Sequence, residues 1–419
     1  MRELTARRTL AAFAASAALT GGLATASAAT ASAATACLAP GPGAQPLGFP
    51  RGSELTSVTA HSPCDVWVGG GQSSTPATDP FQPLVEHWDG TAWTAAVTVH
   101  APGEIQGIGE RSPSDVWAVG RTGDNTQATP LILHWDGMSW TQSVIPSLAN
   151  DAGFAELTAV AARGKADAWA VGRVRTPAGD RTLILHWNGS AWKRVPSPDL
   201  RGVGVNDWLT GVTTVSASDA WAVGDPNAPH PAGLDRSAPA GSAKAAAAPK
   251  QTLIVHWDGH RWKQVTSPSP GQFDHLTAVT ATSRTAAWAV GVTSQDGVQR
   301  RTLVLRWDGH VWKQSKSPNV KVAGVGVPTT LSAVAASPAG GTWAVGTASV
   351  RSIAGTENVV LRWDGKHWTM ATAPDPGAVN QLRGVALIAG GDALAVGSSG
   401  PALFAQADVL SCGPKSGCR

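Results

Sequence analysis

Three glutamates, Glu54, Glu104 and Glu156, recur at intervals of 50 and 52 residues. Each comes just before an apolar residue that is followed three positions later by another: Leu55/Val58, Ile105/Ile108 and Leu157/Val160. The step returns at Leu209/Val212, Leu276/Val279, Leu331/Val334 and Leu382/Val385, where the preceding residue is Trp208, His275, Thr330 or Gln381, and Asp207 and Asp274 adjoin these positions. Equivalent places occupied by different residues are what a shared, asymmetric pocket needs. Carboxylates beside an aromatic platform suit a sugar, whose hydroxyls pair with oxygens while its C–H face stacks on indole. The glutamates with His275 would also serve a carboxylate-dependent hydrolase or lyase, provided they converge to about 5–9.5 Å as glycosidases require. Three glutamates near one axis would alternatively bind Ca2+. Against these stands a plainer reading, in which the residues are solvated loop-to-strand boundaries and Trp208 packs under its own loop.

Other chemistry is excluded by what the chain lacks. It has no tyrosine, so neither a tyrosine nucleophile nor a tyrosine-dependent copper centre is available, and it contains no His-Glu-x-x-His, P-loop, Gly-x-Ser-x-Gly or Cys-x-x-Cys motif. His87, His134, His186 and His256 precede a Trp-Asp-Gly or Trp-Asn-Gly turn, with Arg306 and Arg362 at the same place in two further units. One such residue per unit leaves the copies far apart, so they read as polar strand ends and no metal site is assigned. Lys193, Lys263 and Lys313 follow the last tryptophan of their units and read as edge lysines that discourage sheet-to-sheet pairing.

The chain of 419 residues is 42% hydrophobic and 15% charged, a globular composition. Residues 1–36 read as a signal peptide with an Ala/Thr-rich leader: Arg2, Arg7 and Arg8 precede an apolar run from Leu10 to Leu23, and small-residue sites follow. That run is broken by Gly21-Gly22 and is too short for a membrane span, so a secreted protein is expected. Arg7-Arg8 would also suit twin-arginine export, and the residues before Cys37 match a lipoprotein box poorly. Loss of Arg2, Arg7, Arg8 and Glu3 takes a net +2 from the formal +3 and leaves +1. No basic stripe then remains for nucleic acid or an anionic membrane. Cys37, Cys64, Cys412 and Cys418 would pair in an oxidising compartment, with three connectivities open. Cys412 with Cys418 is the local choice, and Cys37 with the C-terminal pair would join the chain ends.

The elements that must position the candidate residues follow from tryptophan. Eighteen of nineteen tryptophans form six triplets, as in Asp115-Val116-Trp117-Ala118-Val119-Gly120, then Leu131-Ile132-Leu133-His134-Trp135-Asp136-Gly137, then Trp140. A period near 50 residues signals a propeller, solenoid or array. Each unit reads as four short antiparallel strands of 4–7 residues. Asp-Gly, or Asn188-Gly189 in the third unit, forms the last hairpin turn and sets two tryptophans across from each other. Both sheet faces are apolar, so every sheet must be covered twice, which a closed radial ring achieves.

A seventh unit is degenerate: Leu394 replaces the tryptophan in Asp392-Ala393-Leu394-Ala395-Val396-Gly397, and Ala402-Leu403-Phe404-Ala405 supplies a third strand. Its outer strand comes either from Val409 to Cys412 or from Leu47 to Phe49 in the N-terminal segment 37–53. The all-β propeller then spans 54–410, with a mobile Ala/Pro-rich insertion at about 225–250 and a cysteine-containing tail at 411–419.

The repeat Asp-x-Trp-Ala-Val-Gly followed by His-Trp-Asp-Gly-x-x-Trp resembles that of secreted bacterial β-propellers, similar in pattern to kelch and tectonin-type propellers, over Leu55 to about Leu410. The resemblance implies seven four-stranded blades and, for the tectonin-like relatives, sugar binding. The chain lacks the double glycine and tyrosine of kelch repeats. The expected function is therefore a secreted, non-enzymatic binding protein without a resident cofactor, monomeric unless part of a larger assembly. It would recognise a glycan or cell-envelope ligand, or else a protein partner, through the loops around the central channel.

Overall fold

Each apolar step lies near the start of an inner strand: Ser53–Ser62, Gly103–Ser112, Ala155–Gly164, Asp207–Ser216, His275–Ser283, Thr329–Ala336 and Asn380–Leu387. The computed structural model describes Cys37 and residues 52–73, 80–99, 101–124, 126–148, 153–177, 179–198, 207–226, 252–338, 341–350, 355–374, 380–388, 391–400, 406–413 and 417–418. Each inner strand pairs antiparallel with the strand carrying the Trp-Ala-Val-Gly repeat. That strand pairs with a third and the third with an outer one, giving seven four-stranded sheets whose neighbours are consecutive in the chain. Inner strands of successive sheets touch in order, and that of blade 7 meets that of blade 1, so the ring closes. The protein is an all-β, seven-bladed propeller with no helix among the described residues, and thus no helix long and apolar enough to cross a membrane.

Seven hydrophobic clusters occupy the seven seams. Trp117 and Val119 pack towards blade 3, while Val116 and Ala118 of the same strand pack towards blade 1. Five of the seven seams follow one rule: the central tryptophan of a blade meets the hairpin pair of the next. Trp117 lies 5.2 Å from Trp187 and 5.1 Å from Trp192, the second contact edge-on. Trp67, Trp169, Trp221 and Trp288 repeat this against Trp135/Trp140, Trp257/Trp262, Trp307/Trp312 and Trp363/Trp368. A buried indole removes roughly 150–250 Å² from water, worth at most about 4–6 kcal/mol, so these pairs dominate the core.

Two features of the repeat gain a reason here. The inner strand bulges after its first leucine-type residue, and a threonine at the bulge bridges blades: Thr158 Oγ1 lies 2.6 Å from the Leu209 carbonyl oxygen and 3.1 Å from that of Val171. Thr56, Thr210 and Thr277 do the same. The glycine of Trp-Ala-Val-Gly lies against this bulge. A Cβ on Gly172 would sit 2.0 Å from the Glu156 carbonyl oxygen, so no larger residue fits.

The structure corrects several expectations. Inner strands run 8–10 residues, whereas outer strands shrink to three residues in blades 2 to 6. The third strand of blade 7 is Gln406–Gly413, and its outer strand is the two-residue Gly417–Cys418 rather than Val409 to Cys412. Leu47 to Phe49 and Ala402 to Ala405 lie outside the described residues, as do the leader and all of the insertion except Asp225 and Pro226. The disulfides are Cys37–Cys64 and Cys412–Cys418, so the chain ends are not joined. In the Asp-Gly and Asn-Gly hairpin turns only glycine adopts positive φ, as at Gly137 (97°), while Asp136 accepts hydrogen bonds from the Met138 and Ser139 amides. Asn188 does likewise in blade 3, which bears out the turn-forming role.

Candidate functional site

Glu54, Glu104, Glu156, Trp208, His275, Thr330 and Gln381 occupy one register position. Each immediately precedes the residue paired with the repeat glycine, as Glu156 precedes Leu157, the partner of Gly172. They therefore ring the axis at the end of the propeller where blade-to-blade links and second-to-third strand loops gather. They lie within the inner strands, not ahead of them. Asp207 and Asp274 differ, being 3% and 0% exposed one residue earlier. Asp274 accepts a hydrogen bond from the Gly271 amide, and burial raises its carboxyl above the usual range. Both aspartates are thus buried beside the ring positions.

The ring residues are not grouped as one set. Glu104 and Glu156 come together: the Gln106 amide donates to Glu104 Oε1 and Glu156 Oε2, both at 3.2 Å, and Arg121 contacts the same two oxygens at 3.2 and 3.4 Å. Glu156 Oε1 accepts a 2.6 Å hydrogen bond from Arg173 Nε, whose Nη1 donates to Asp180 at 2.9 Å. Arg175 closes the cluster on the other oxygen of Asp180. The Arg173 guanidinium lies over Trp208, 4.5 Å from the ring centroid, and beside Phe154 at 4.9 Å. Trp208 is therefore half-buried with one face covered, and only its remaining surface can meet a ligand. Elsewhere Glu54 pairs with Arg383, which also donates to Gln381, and His275 lies 4.0 Å from Asp225.

Arginines thus meet all three glutamates, where the Ca2+ reading needed open carboxylates. No group of three or more metal-ligating side chains is positioned for a metal among the described residues. The second-strand residues that partner the ring positions, Arg121, Arg173 and Asp225, were not singled out from the sequence. They follow the repeat glycine on the second strand, where the other units have Gly71, Val292, Thr347 and Ser398. That position varies as much as the glutamate position does, and the variation was the available signal.

The repeated histidines hold blades together. His134 stacks on Trp117 at 3.9 Å and contacts Asp115 at 2.9 Å, and the Trp117 indole N–H donates to the same carboxylate. Asp65, Asp167 and Asp219 receive His87, His186 and His256. Where the aspartate is replaced by Ala286 or Gly341, the histidine becomes Arg306 or Arg362, placed over the tryptophan ring. Lys263 and Lys313 pair with the turn residues Asp258 and Asp308.

No protein-family model matches this chain, and no curated protein is similar to it. The likeness to kelch and tectonin repeats rests on the motif alone. Among solved structures, the chain is similar to an ulvan lyase bound to GlcA(1-4)Rha3S, with 9% identity, a TM-score of 0.50, and 88% of this chain and 96% of that one covered. It is also similar to YCF48 bound to a D1 peptide (12% identity, TM-score 0.47, 87% and 92% covered). A third is the propeller domain of the trilobed protease from Pyrococcus furiosus (8% identity, TM-score 0.46, 87% and 94% covered). Likeness at this identity shows the propeller fold and nothing about activity.

Proposed function

We propose that this protein is a secreted, non-enzymatic binding platform that takes a glycan at the hub cluster of blades 2 to 4. The observation that carries the reading is the Glu104, Glu156, Arg121, Arg173 and Trp208 group. Its planar guanidinium donors and carboxylate acceptors are held by one another beside an aromatic edge, a mixture that suits vicinal hydroxyls and a sugar's C–H face. Glu104 and Glu156 converge on Gln106, but arginines engage both carboxylates, which supports binding rather than turnover. The pairing of all four cysteines supports an oxidising, extracellular destination. A broad apolar loop face would favour a protein partner, but the exposed large apolar side chains are distributed over several blades.

The test is a screen of the full chain against glycans and isolated cell walls, with Arg121→Ala and Trp208→Ala beside the wild type. Binding lost in both variants supports the hub. Binding unchanged in both removes it, and cleavage of a bound glycan would replace this reading with a hydrolase or lyase.

A further inference from the structure

A second feature of the loop-bearing end shares no residue with the hub. Above blade 5 lies a cleft of about 530 Å³, between the loop joining the second and third strands and the link to blade 6. Its walls are hydroxyls and amides, including Gln299 and Gln314, with Arg301 and Lys316 as the charged groups and neither a carboxylate nor an aromatic ring. Asp296 in the same loop is outside the lining and accepts hydrogen bonds from Ser294 and the Val298 and Gln299 amides. Arg301 and Lys316 are both exposed, and neither takes part in an ion pair among the described residues. This contrasts with the hub, where the arginines answer acids.

At this place blade 5 differs from blades 3 and 4, while blade 2 also has a serine, Ser143, whose amide donates to the Ile132 carbonyl. The amide of Ser315 donates to the Val304 carbonyl, as Val195 and Val265 donate to Ile184 and Ile254 in blades 3 and 4. Val195 and Val265 pack against their cores, so the same backbone place carries an apolar plug in those blades and Ser315-Lys316 in blade 5. The wall is rigid. Thr302 Oγ1 lies 2.7 Å from Ser317 Oγ, and the Thr302 amide donates to Asn319 Oδ1 at 2.8 Å.

We propose that this cleft binds an acidic oligosaccharide, a hydroxyl-rich chain bearing carboxylate or sulfate groups. Two unpaired cations supply charge-assisted hydrogen bonds to the anionic substituents, and the amides and hydroxyls of the lining answer the sugar hydroxyls. The volume is in the range of clefts that hold an extended small ligand, well beyond a single inorganic anion. The missing aromatic platform argues against nucleotide bases, which bind single-strand sites by stacking.

The experiment measures binding of the disulfide-intact full chain to tetragalacturonate and to a heparin-derived tetrasaccharide, two probes that separate carboxylate from sulfate recognition. Cellotetraose and a ten-nucleotide oligothymidylate serve as counter-ligands. At least one acidic probe should bind more tightly than both counter-ligands, and Arg301→Ala/Lys316→Ala should weaken it at least about tenfold. Both residues are exposed, so the double variant should unfold at the wild-type temperature. The hub variant Trp208→Ala should leave this binding unchanged, which separates failure of the cleft from failure of the hub reading. Absence of binding to both acidic probes, equal binding by the double variant, or equal affinity for the oligonucleotide would overturn the assignment.

Discussion

Cys412 and Cys418 face each other across the last hairpin of blade 7, in the register positions that Trp135 and Trp140 fill in blade 2. The disulfide packs in the same cluster as Trp343 of blade 6, where an indole pair receives the central tryptophan in the preceding seams. A covalent bond thus replaces an aromatic pair in blade 7, whose two-residue outer strand is also tied by the Cys418 amide to the Thr372 carbonyl.

Replacing both cysteines of this pair with serine should therefore loosen blade 7. The lost crosslink is worth about 2–3 kcal/mol for so short a loop, and the packing on Trp343 is lost with it. Urea unfolding and amide exchange of the strand Gln406–Gly413 would show it, and an unchanged midpoint with unchanged protection would disprove it.

Glu86 occupies the position that Leu133, Leu185 and Leu305 fill in other blades, yet it is 1% exposed and its Oε2 has no hydrogen-bond partner in the structure. Burial pushes its carboxyl from the usual 4.5 up to about 7. Glu110 is pushed to about 8 by burial and by Asp65. Raised carboxyls stabilise the fold fully below about pH 4.5, and that contribution is lost as pH rises through 7 to 8. Stability should accordingly fall between pH 5 and 8. Glu86→Leu should raise it by about 1–3 kcal/mol at pH 8 and flatten the profile. A variant less stable than wild type at pH 8 would contradict this.

Arg173 neutralises two buried acids, so Arg173→Ala should cost about 3–5 kcal/mol by leaving Glu156 and Asp180 without it. Arg173→Ala combined with Glu156→Gln should recover part of that loss. A double-mutant cycle by chemical denaturation would measure the coupling, and strict additivity would show that the pair is not linked.

Gly172→Ala should destabilise the ring by about 3 kcal/mol or more, because its methyl group meets the Glu156 carbonyl in the bulge. Alanine at Gly164, where the nearest neighbour is a side-chain carbon at 3.8 Å, should cost far less. Equal melting temperatures for the two variants would remove the close-approach argument.

The tryptophan spacing, with the Leu382/Val385 step and the Asp392–Gly397 copy that mark the seventh unit, determined blade number, strand order and the hairpin pairing of Trp135 with Trp140, because these are local and periodic. It also placed Glu54, Glu104, Glu156, Trp208, His275 and Gln381 at equivalent positions around one axis. Only the tertiary structure decided which of these meet. Glu104 and Glu156 converge through Gln106, whereas Glu54 turns to Arg383 and Arg173 covers Trp208, because such contacts cross blade seams between residues dozens to hundreds of positions apart. The disulfide standing in for an indole pair, and the cleft above blade 5, were set in the same way. A repeat dictates what each blade contains, but the side chains at its edges find their partners only when neighbouring blades are brought into contact.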